Sequence, residues 1–349
     1  MALVDLFSSF AARLFGPASP AEEAVDPELV KIGVEAVVDA VDPRLRAYSG
    51  YPARLTPPIT RTIAHLRKLG GLLPAPIVLG RSAWAEDPLL NALFASADDV
   101  PRVLGGSDEL RAFFASPENA AVSEAHALLG MVKTERDVFA PAVVDGVLRQ
   151  DVAQTTVSFS HHTLICAAAD AAACRREVGV RILRRLAALT LQRITALEEL
   201  ATELEQRKAM LGAKLRLLHL RRNGLDLIAR EEYDDLNARI AAMERELRTT
   251  ADDYLETKAS TRTLETRIYH IEAIFGAPAD HLRLEDVALR VNRLGYKVAA
   301  QSSERASELT LSELAIGEGL KAVIALVRCA RSELPSPESL AARAARVMP

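Results

Sequence analysis

The sequence predicts a protein that is mostly α with a minor β element: a multi-helix body with a long projecting antiparallel coiled-coil hairpin. Two observations predict this fold. Hydrophobic residues alternate at spacings of three and four through most of residues 173-275, with an Asn-Gly pair near the middle of that stretch. The flanking sequences on both sides contain short runs that are rich in β-forming residues.

Length and composition indicate a folded protein and disfavour nucleic-acid binding. The chain has 349 residues, 49% hydrophobic and 26% charged, with a formal net charge of −4. Such a chain can bury a sizeable core, whereas nucleic-acid binders usually carry a basic excess that neutralises phosphates. No apolar run approaches the roughly 20 residues that a membrane-spanning helix needs. The N-terminus lacks the basic start of a secretory signal.

These features predict a cytoplasmic protein. The three cysteines (Cys166, Cys174 and Cys329) are too few and too scattered for a disulfide framework, which fits a reducing compartment. Abundant Ala, Arg and Leu with few Lys is the composition of a high-GC bacterial genome.

Residues 1-26 are predicted to form an amphipathic helix and a linker. Within the helix, residues 3–15, the side chains of Phe7, Phe10 and Leu14 lie at helical spacing on one face. Three hypotheses stay open: the helix docks on its own body, binds a partner, or lies at a membrane surface. Its polar face lacks the Lys and Arg excess that anionic lipids select, which disfavours the membrane hypothesis.

Residues 27-140 are predicted to form a helical body. Helix breakers and caps divide this stretch into short segments: Pro57-Pro58 begins a helix, Gly70-Gly71 ends it, and Asp87-Pro88 begins another. The breaks are irregularly spaced, so no internal repeat is indicated.

Residues 141-172 form the predicted β-like segment at the base of the hairpin. Val143-Val144 and Val147-Leu148 flank Asp145-Gly146, which is a typical hairpin turn. The C-terminal α/β segment, residues 276-349, contains a second turn at Gly317-Glu318-Gly319 and a β-forming run after it. Because a hairpin returns the chain to its starting point, we expect segment 276-349 to pack with segment 141-172.

The hairpin itself is predicted from two apolar seams that repeat every 3.5 residues, which keeps one stripe facing a partner helix. The seam positions of the first arm are Leu183, Ala187, Thr190, Ile194, Leu197, Ala201, Leu204, Lys208, Leu211, Leu215 and Leu218. Those of the second arm are Tyr233, Leu236, Ile240, Met243, Leu247, Thr250, Tyr254, Thr257, Thr261, Leu264, Ile268, Ile271 and Phe275.

Asn223-Gly224 is expected to end the first arm, because Gly adopts the left-handed conformation without steric cost. A connection this short makes the arms antiparallel and pairs Leu211 with Ile240 and Leu197 with Tyr254. Between Thr250 and Thr261 the second seam buries less apolar area than at its two ends. This stretch is either a hinge, a place where a third helix packs, or a tolerated stretch in a hairpin that its two ends hold closed.

Catalytic motifs are absent from the sequence. It contains no phosphate-binding Gly-rich loop, no GxSxG and no HExxH. Ser160, His161 and His162, with Cys166 and Asp170, form the one cluster that suggests chemistry, and a polar turn before an inert buried cysteine explains it better. We therefore expect no catalytic residues, no cofactor and no metal site.

The residues most suited to partner binding are Phe7, Phe10 and Leu14 of the N-terminal helix, the seam aromatic Tyr254, and Arg221 and Arg222 near the tip of the hairpin. The leading functional hypothesis is a non-enzymatic cytoplasmic scaffold or adaptor that binds protein partners, or itself, through the hairpin. The alternatives are a membrane-peripheral factor anchored by residues 3–15 and an enzyme with a pocket in the body. An enzyme requires a pocket with convergent titratable groups, whereas a scaffold requires an exposed apolar patch.

Overall fold

The structure, a computed structural model, describes residues 25–144, 147–225, 230–292, 294–299 and 304–335. The helices in this part of the chain are α1 (Pro27–Val41), α2 (Tyr51–Leu72), α3 (Arg81–Glu86), α4 (Pro88–Leu93), α5 (Asp99–Gly106), α6 (Asp108–Ala115), α7 (Ala171–Leu225), α8 (Arg230–Arg262), α9 (Leu264–Gly276) and α10 (Pro278–His281). The strands are β1 (Ile77–Leu79), β2 (Glu124–Val144), β3 (Val147–Ala168), β4 (Leu282–Val291), β5 (Ser307–Ile316) and β6 (Leu320–Ala330). The described part of the chain is thus mostly helical, and its named strands form one sheet.

The chain divides into two compact units. The sheet unit contains residues 60–185, 277–349 and 1–33, as far as these are described. The helical unit contains residues 34–59 and 186–276.

All named strands of the sheet unit belong to one sheet. Its order is β3-β2-β6-β5-β4, with antiparallel neighbours, and β1 pairs in parallel with β6. Beyond β4, the Val157 N–H donates to the Gly295 carbonyl and the Lys297 N–H donates to the Thr155 carbonyl, both at 2.8 Å. The Val298 N–H in turn donates to the Arg290 carbonyl at 2.8 Å. Residues 295–298 therefore bond to both edge strands, which shields edges that would otherwise offer unpaired backbone groups.

The main apolar core lies between one face of this sheet and helices α3 to α6. Phe94, which ends α4, is fully buried there among strand residues such as Leu129 and Val327. The Trp84 indole N–H donates to the Phe94 carbonyl at 2.9 Å, and the ring of His162 stacks on the Phe94 ring at 4.5 Å. Burial of so many large apolar side chains is the main source of stability for this unit.

Strand β2 departs from the predicted helical body of residues 27-140. The helices of that body end at Ala115, a 3₁₀ turn follows at Pro117–Asn119, and residues 124–140 are strand. Both Leu128 and Leu129 are buried, although successive strand residues point to opposite faces. Both faces of the sheet are therefore covered, and the strand loses the apolar–polar alternation that would have identified it.

In the helical unit, α7 runs antiparallel to α8 and α9. The side-chain contacts between them include Glu198–Arg267 at 2.6 Å, Glu205–Tyr254 at 3.3 Å and Arg207–Glu246 at 2.8 Å. In this series the residue numbers of α7 rise as those of α8 and α9 fall. Every seam residue predicted from the sequence whose side chain is described is buried or half-buried. The register differs from the prediction, because Tyr254 contacts Glu205 rather than the neighbourhood of Leu197.

The two arms also differ from the predicted continuous helices. Gly224 lies inside α7, which continues to Leu225, and the predicted turn that follows lies outside the described residues. The second arm is interrupted at Thr263. There the Thr263 Oγ1 accepts from the Thr266 N–H at 3.1 Å while the Thr266 Oγ1 accepts from the Thr263 N–H at 3.2 Å. This reciprocal capping begins α9 as a separate helix.

Ion pairs attach the N-terminal part of the helical unit to α9. Asp42, 5% exposed, accepts hydrogen bonds from Arg44 and from Arg267, the latter at 2.9 Å. Farther along, the Arg54 Nε donates to Glu272 at 2.8 Å. Polar contacts therefore contribute to the packing of this unit in addition to its apolar seam.

Candidate protein-binding surface

An apolar stripe lies on the face of α7 that points away from α8. It consists of Met210, Ala213, Leu217 and Leu220, which we name the α7 stripe. Met210, Leu217 and Leu220 are 49%, 66% and 69% exposed. Successive helix residues are rotated by about 100°, so these positions share one face and the buried seam around Leu211 occupies the opposite one.

Three exposed cations border the α7 stripe: Lys214, Arg216 and Arg221. None of them makes a hydrogen bond or ion pair with another side chain in the part of the chain that the structure describes. An apolar stripe flanked by positive charge is the surface that an amphipathic helix with acidic borders would cover. This stripe was not predicted from the sequence, because the seam on the same helix has a stronger and longer pattern of apolar residues at spacings of three and four.

Tyr254, predicted as a partner anchor, is buried within the helical unit. Its ring lies beneath the ammonium groups of Lys208 at 4.0 Å and Lys258 at 4.8 Å, and its hydroxyl bonds Glu205 at 3.3 Å. Only 7% of the residue is exposed. Most of this ring is therefore already covered by contacts within the helical unit.

A cavity of about 280 Å³ lies beside Tyr254, between the weak stretch of α8 and helix α7. It is lined partly by Ala201, Thr202 and Thr261, whose short side chains fill little space. The incomplete packing occurs where the sequence predicts a weak middle of the seam.

The remaining predicted partner residues fall in two places. Arg221 is exposed and Arg222 half-buried at the end of α7, beside the α7 stripe. Phe7, Phe10 and Leu14 lie outside the described residues.

The Ser160–Asp170 cluster does not converge on a reaction centre. The imidazole of His161 bonds the Ser160 hydroxyl at 3.0 Å, while His162 points to the other side of the strand and bonds the Leu93 carbonyl at 2.8 Å. Cys166 is 1% exposed, and burial raises the pKa of its thiol far above the ordinary value of 9.0. A thiol with such a pKa stays protonated and is a poor nucleophile.

The other two cysteines are free and buried as well. Burial raises the pKa of both Cys174 and Cys329 to about 12. Among the described residues, no group of three or more His, Cys, Asp or Glu side chains has the arrangement of a metal site. Within the same residues, no helix combines the length and apolar character that crossing a membrane requires.

Comparison of the chain with protein-family models, with curated proteins and with solved structures found no match.

Proposed function

We propose that this protein is a non-enzymatic scaffold or adaptor of the cytoplasm, in which α7, α8 and α9 form an antiparallel coiled-coil hairpin that binds a protein partner. The α7 stripe carries the proposal. Three large apolar side chains on one helical face are between 49% and 69% exposed, and such a patch is typical of a protein-interaction site.

The bordering cations define the kind of partner. Lys214 and Arg221 lie on one side of the stripe and Arg216 on the other, so a partner helix would gain from acidic residues beside its apolar face. We infer an acidic amphipathic helix, which would pack on α7 as a third helix. A second copy of the chain is the alternative occupant.

Affinity purification of the full-length protein followed by mass spectrometry tests this proposal. Replacing both Leu217 and Leu220 with Glu places negative charge in the stripe, and we expect it to remove the specific partner. The matched control is Leu255→Glu, because Leu255 is 63% exposed on α8, outside the stripe. An unchanged partner set in the double variant would contradict the proposal. Light scattering of both variants shows whether the partner is a second copy.

Spin labels test the hairpin independently. Labels at Leu211 and Ile240, both buried in the seam, should report close approach. A single continuous helix would separate these positions by roughly 43 Å at 1.5 Å per residue. A distance of that size would exclude the hairpin, whatever the partner experiment shows.

The two alternatives have weaker support. The membrane-peripheral hypothesis depends on residues 3–15, which lie outside the described residues. The enzyme hypothesis requires convergent titratable groups, and the side chains of Ser160, His161 and His162 diverge.

A further inference from the structure

A second cavity, in the sheet unit, has the properties of a small-molecule site. It has a volume of about 320 Å³ and lies on the face of the sheet opposite the main core. We name it the sheet cavity. Its apolar lining comes from four strands and one helix: Leu128 and Val132 of β2, Ile165 of β3, Leu314 and Ile316 of β5, Leu320, Ala322 and Ile324 of β6, and Val178 and Ile182 of α7. Its volume is at the lower end of the range of known ligand pockets, about 300–1,000 Å³.

The polar groups of the sheet cavity are positively charged or neutral. Arg181 and Arg185 line it from α7, one turn apart, and no carboxylate belongs to the lining. Glu109 bonds Arg181 at 2.7 Å and Glu177 lies 3.7 Å from its Nε, so Arg181 is neutralised from outside the cavity. Arg185 makes no such pair with any described side chain. The cavity is therefore bordered by one exposed cation that no described carboxylate pairs.

Strand β3 is distorted where it borders this cavity. His161 and Cys166 have φ values of 55° and 58°, a left-handed conformation that is uncommon for residues other than glycine. At each of them β3 has one residue more than its partner β2, which is a β-bulge. Both residues line the sheet cavity.

Hydrogen bonds from α6 hold the second bulge in place. The Cys166 N–H donates to the Glu109 carboxylate at 2.8 Å, and the Ser107 hydroxyl donates to the Leu164 carbonyl at 2.9 Å. A left-handed conformation of this kind is strained for residues with a side chain, and such strain is concentrated at binding and catalytic sites. Two such residues at one cavity distinguish it from an accidental packing gap.

We propose that the sheet cavity binds a medium-chain aliphatic carboxylate, whose tail lies on the apolar strands and whose carboxylate pairs with Arg185. The volume, near the lower limit of known ligand pockets, favours a short chain such as that of octanoate. Because no carboxylate lines the cavity, an anionic ligand is favoured over a cationic one. Because most lining residues are apolar, a ligand with an apolar tail is favoured over a compact polar anion such as phosphate. This inference does not depend on the proposed scaffold function.

Titration calorimetry of the full-length protein with octanoate tests the inference. Octanoate should bind with one-to-one stoichiometry, and 1-octanol, which has the same tail without the charge, should bind at least tenfold more weakly. Arg185→Gln should weaken octanoate binding by tenfold or more. The matched control is Arg176→Gln, since Arg176 lies on the same helix but does not line the cavity. It should leave the affinity unchanged.

A variant that fills the sheet cavity is the second test. Ala322→Phe places a ring in the cavity from the β6 side and should abolish octanoate binding, with folding checked by circular dichroism. No saturable binding of octanoate, or equal affinities in the Arg185→Gln and wild-type proteins, would overturn the inference. Binding that appears only after Phe7 and Phe10 are replaced with Glu would also overturn it, because the N-terminal segment would then be the natural occupant.

Discussion

The sheet unit and the helical unit bury their side chains in different ways. In the sheet unit the core is continuous and apolar, with residues such as Phe94, Leu129 and Val327 almost completely buried. In the helical unit the seam contains buried threonines: Thr190, Thr250 and Thr261 are 0%, 5% and 6% exposed. A buried Thr contributes less apolar area than Leu or Ile and needs a partner for its hydroxyl. We infer that the sheet unit is the rigid part and that the helical unit opens locally.

The largest expected effect is on the core of the sheet unit. Phe94→Ala should lower the free energy of unfolding by about 3–5 kcal/mol, because it removes a fully buried ring and leaves a cavity. Urea denaturation followed by the fluorescence of Trp84, the only tryptophan, measures this unit directly. Phe139→Ala is the control: Phe139 is 79% exposed, and its loss should change the unfolding midpoint little.

The second effect concerns the ionic contacts of the helical unit. Asp42→Asn should destabilise this unit by roughly 3 kcal/mol, since a charge-assisted acceptor of Arg44 and Arg267 is lost at a buried position. The expected result is an earlier transition in circular dichroism with little change at Trp84. Equal shifts in both signals would show that the two units unfold as one.

The same residue gives the helical unit an acid dependence. Burial raises the pKa of Asp42, but hydrogen bonds from Arg44 and the nearby charge of Arg267 outweigh it, so the pKa lies below the ordinary value of 3.8. A carboxylate with a lowered pKa stabilises the fold above its unfolded-state pKa, and this contribution disappears as the pH falls through the folded-state value. Wild-type stability should therefore decrease below about pH 4, and Asp42→Asn should show a weaker decrease.

The two units also differ in how far the sequence predicts them. The described seam positions are buried or half-buried as predicted, because apolar residues at spacings of three and four share one face of a helix. The coiled coil itself stays a prediction. The register was wrong near Tyr254, because Glu205 and Lys208 of α7, rather than Leu197, lie against this residue. The break at Thr263 left no signal, because the apolar spacing continues through it to Leu264 and Ile268.

The sheet and its cavity were harder to predict. Strand β2 is covered on both faces, so its apolar residues do not alternate and its first half resembles a helix segment. The sheet cavity is formed by ordinary apolar residues from distant parts of the chain, and no local motif marks them. The left-handed φ of Cys166 occurs where β3 is held by tertiary contacts with Ser107 and Glu109, which sequence spacing does not reveal.

The smallest expected effect is a gain of stability in the helical unit. Thr250→Leu should raise its free energy of unfolding by about 1 kcal/mol, because an apolar side chain replaces a buried hydroxyl in the seam. Thr249→Leu is the control, since Thr249 is the exposed neighbour on the same helix. Circular dichroism in urea measures both, and an equal gain from the two substitutions would show that helix propensity, not seam packing, is responsible.

Hydrogen exchange of the full-length protein, followed by mass spectrometry, tests the difference between the two units most directly. We expect the amides of residues 250–262 to exchange faster than those of residues 234–247 in the same helix, and faster than those of β6 in the sheet unit. Fast exchange limited to this stretch would confirm a seam that opens in its middle. Uniformly slow exchange along α8, equal to that of β6, would contradict it.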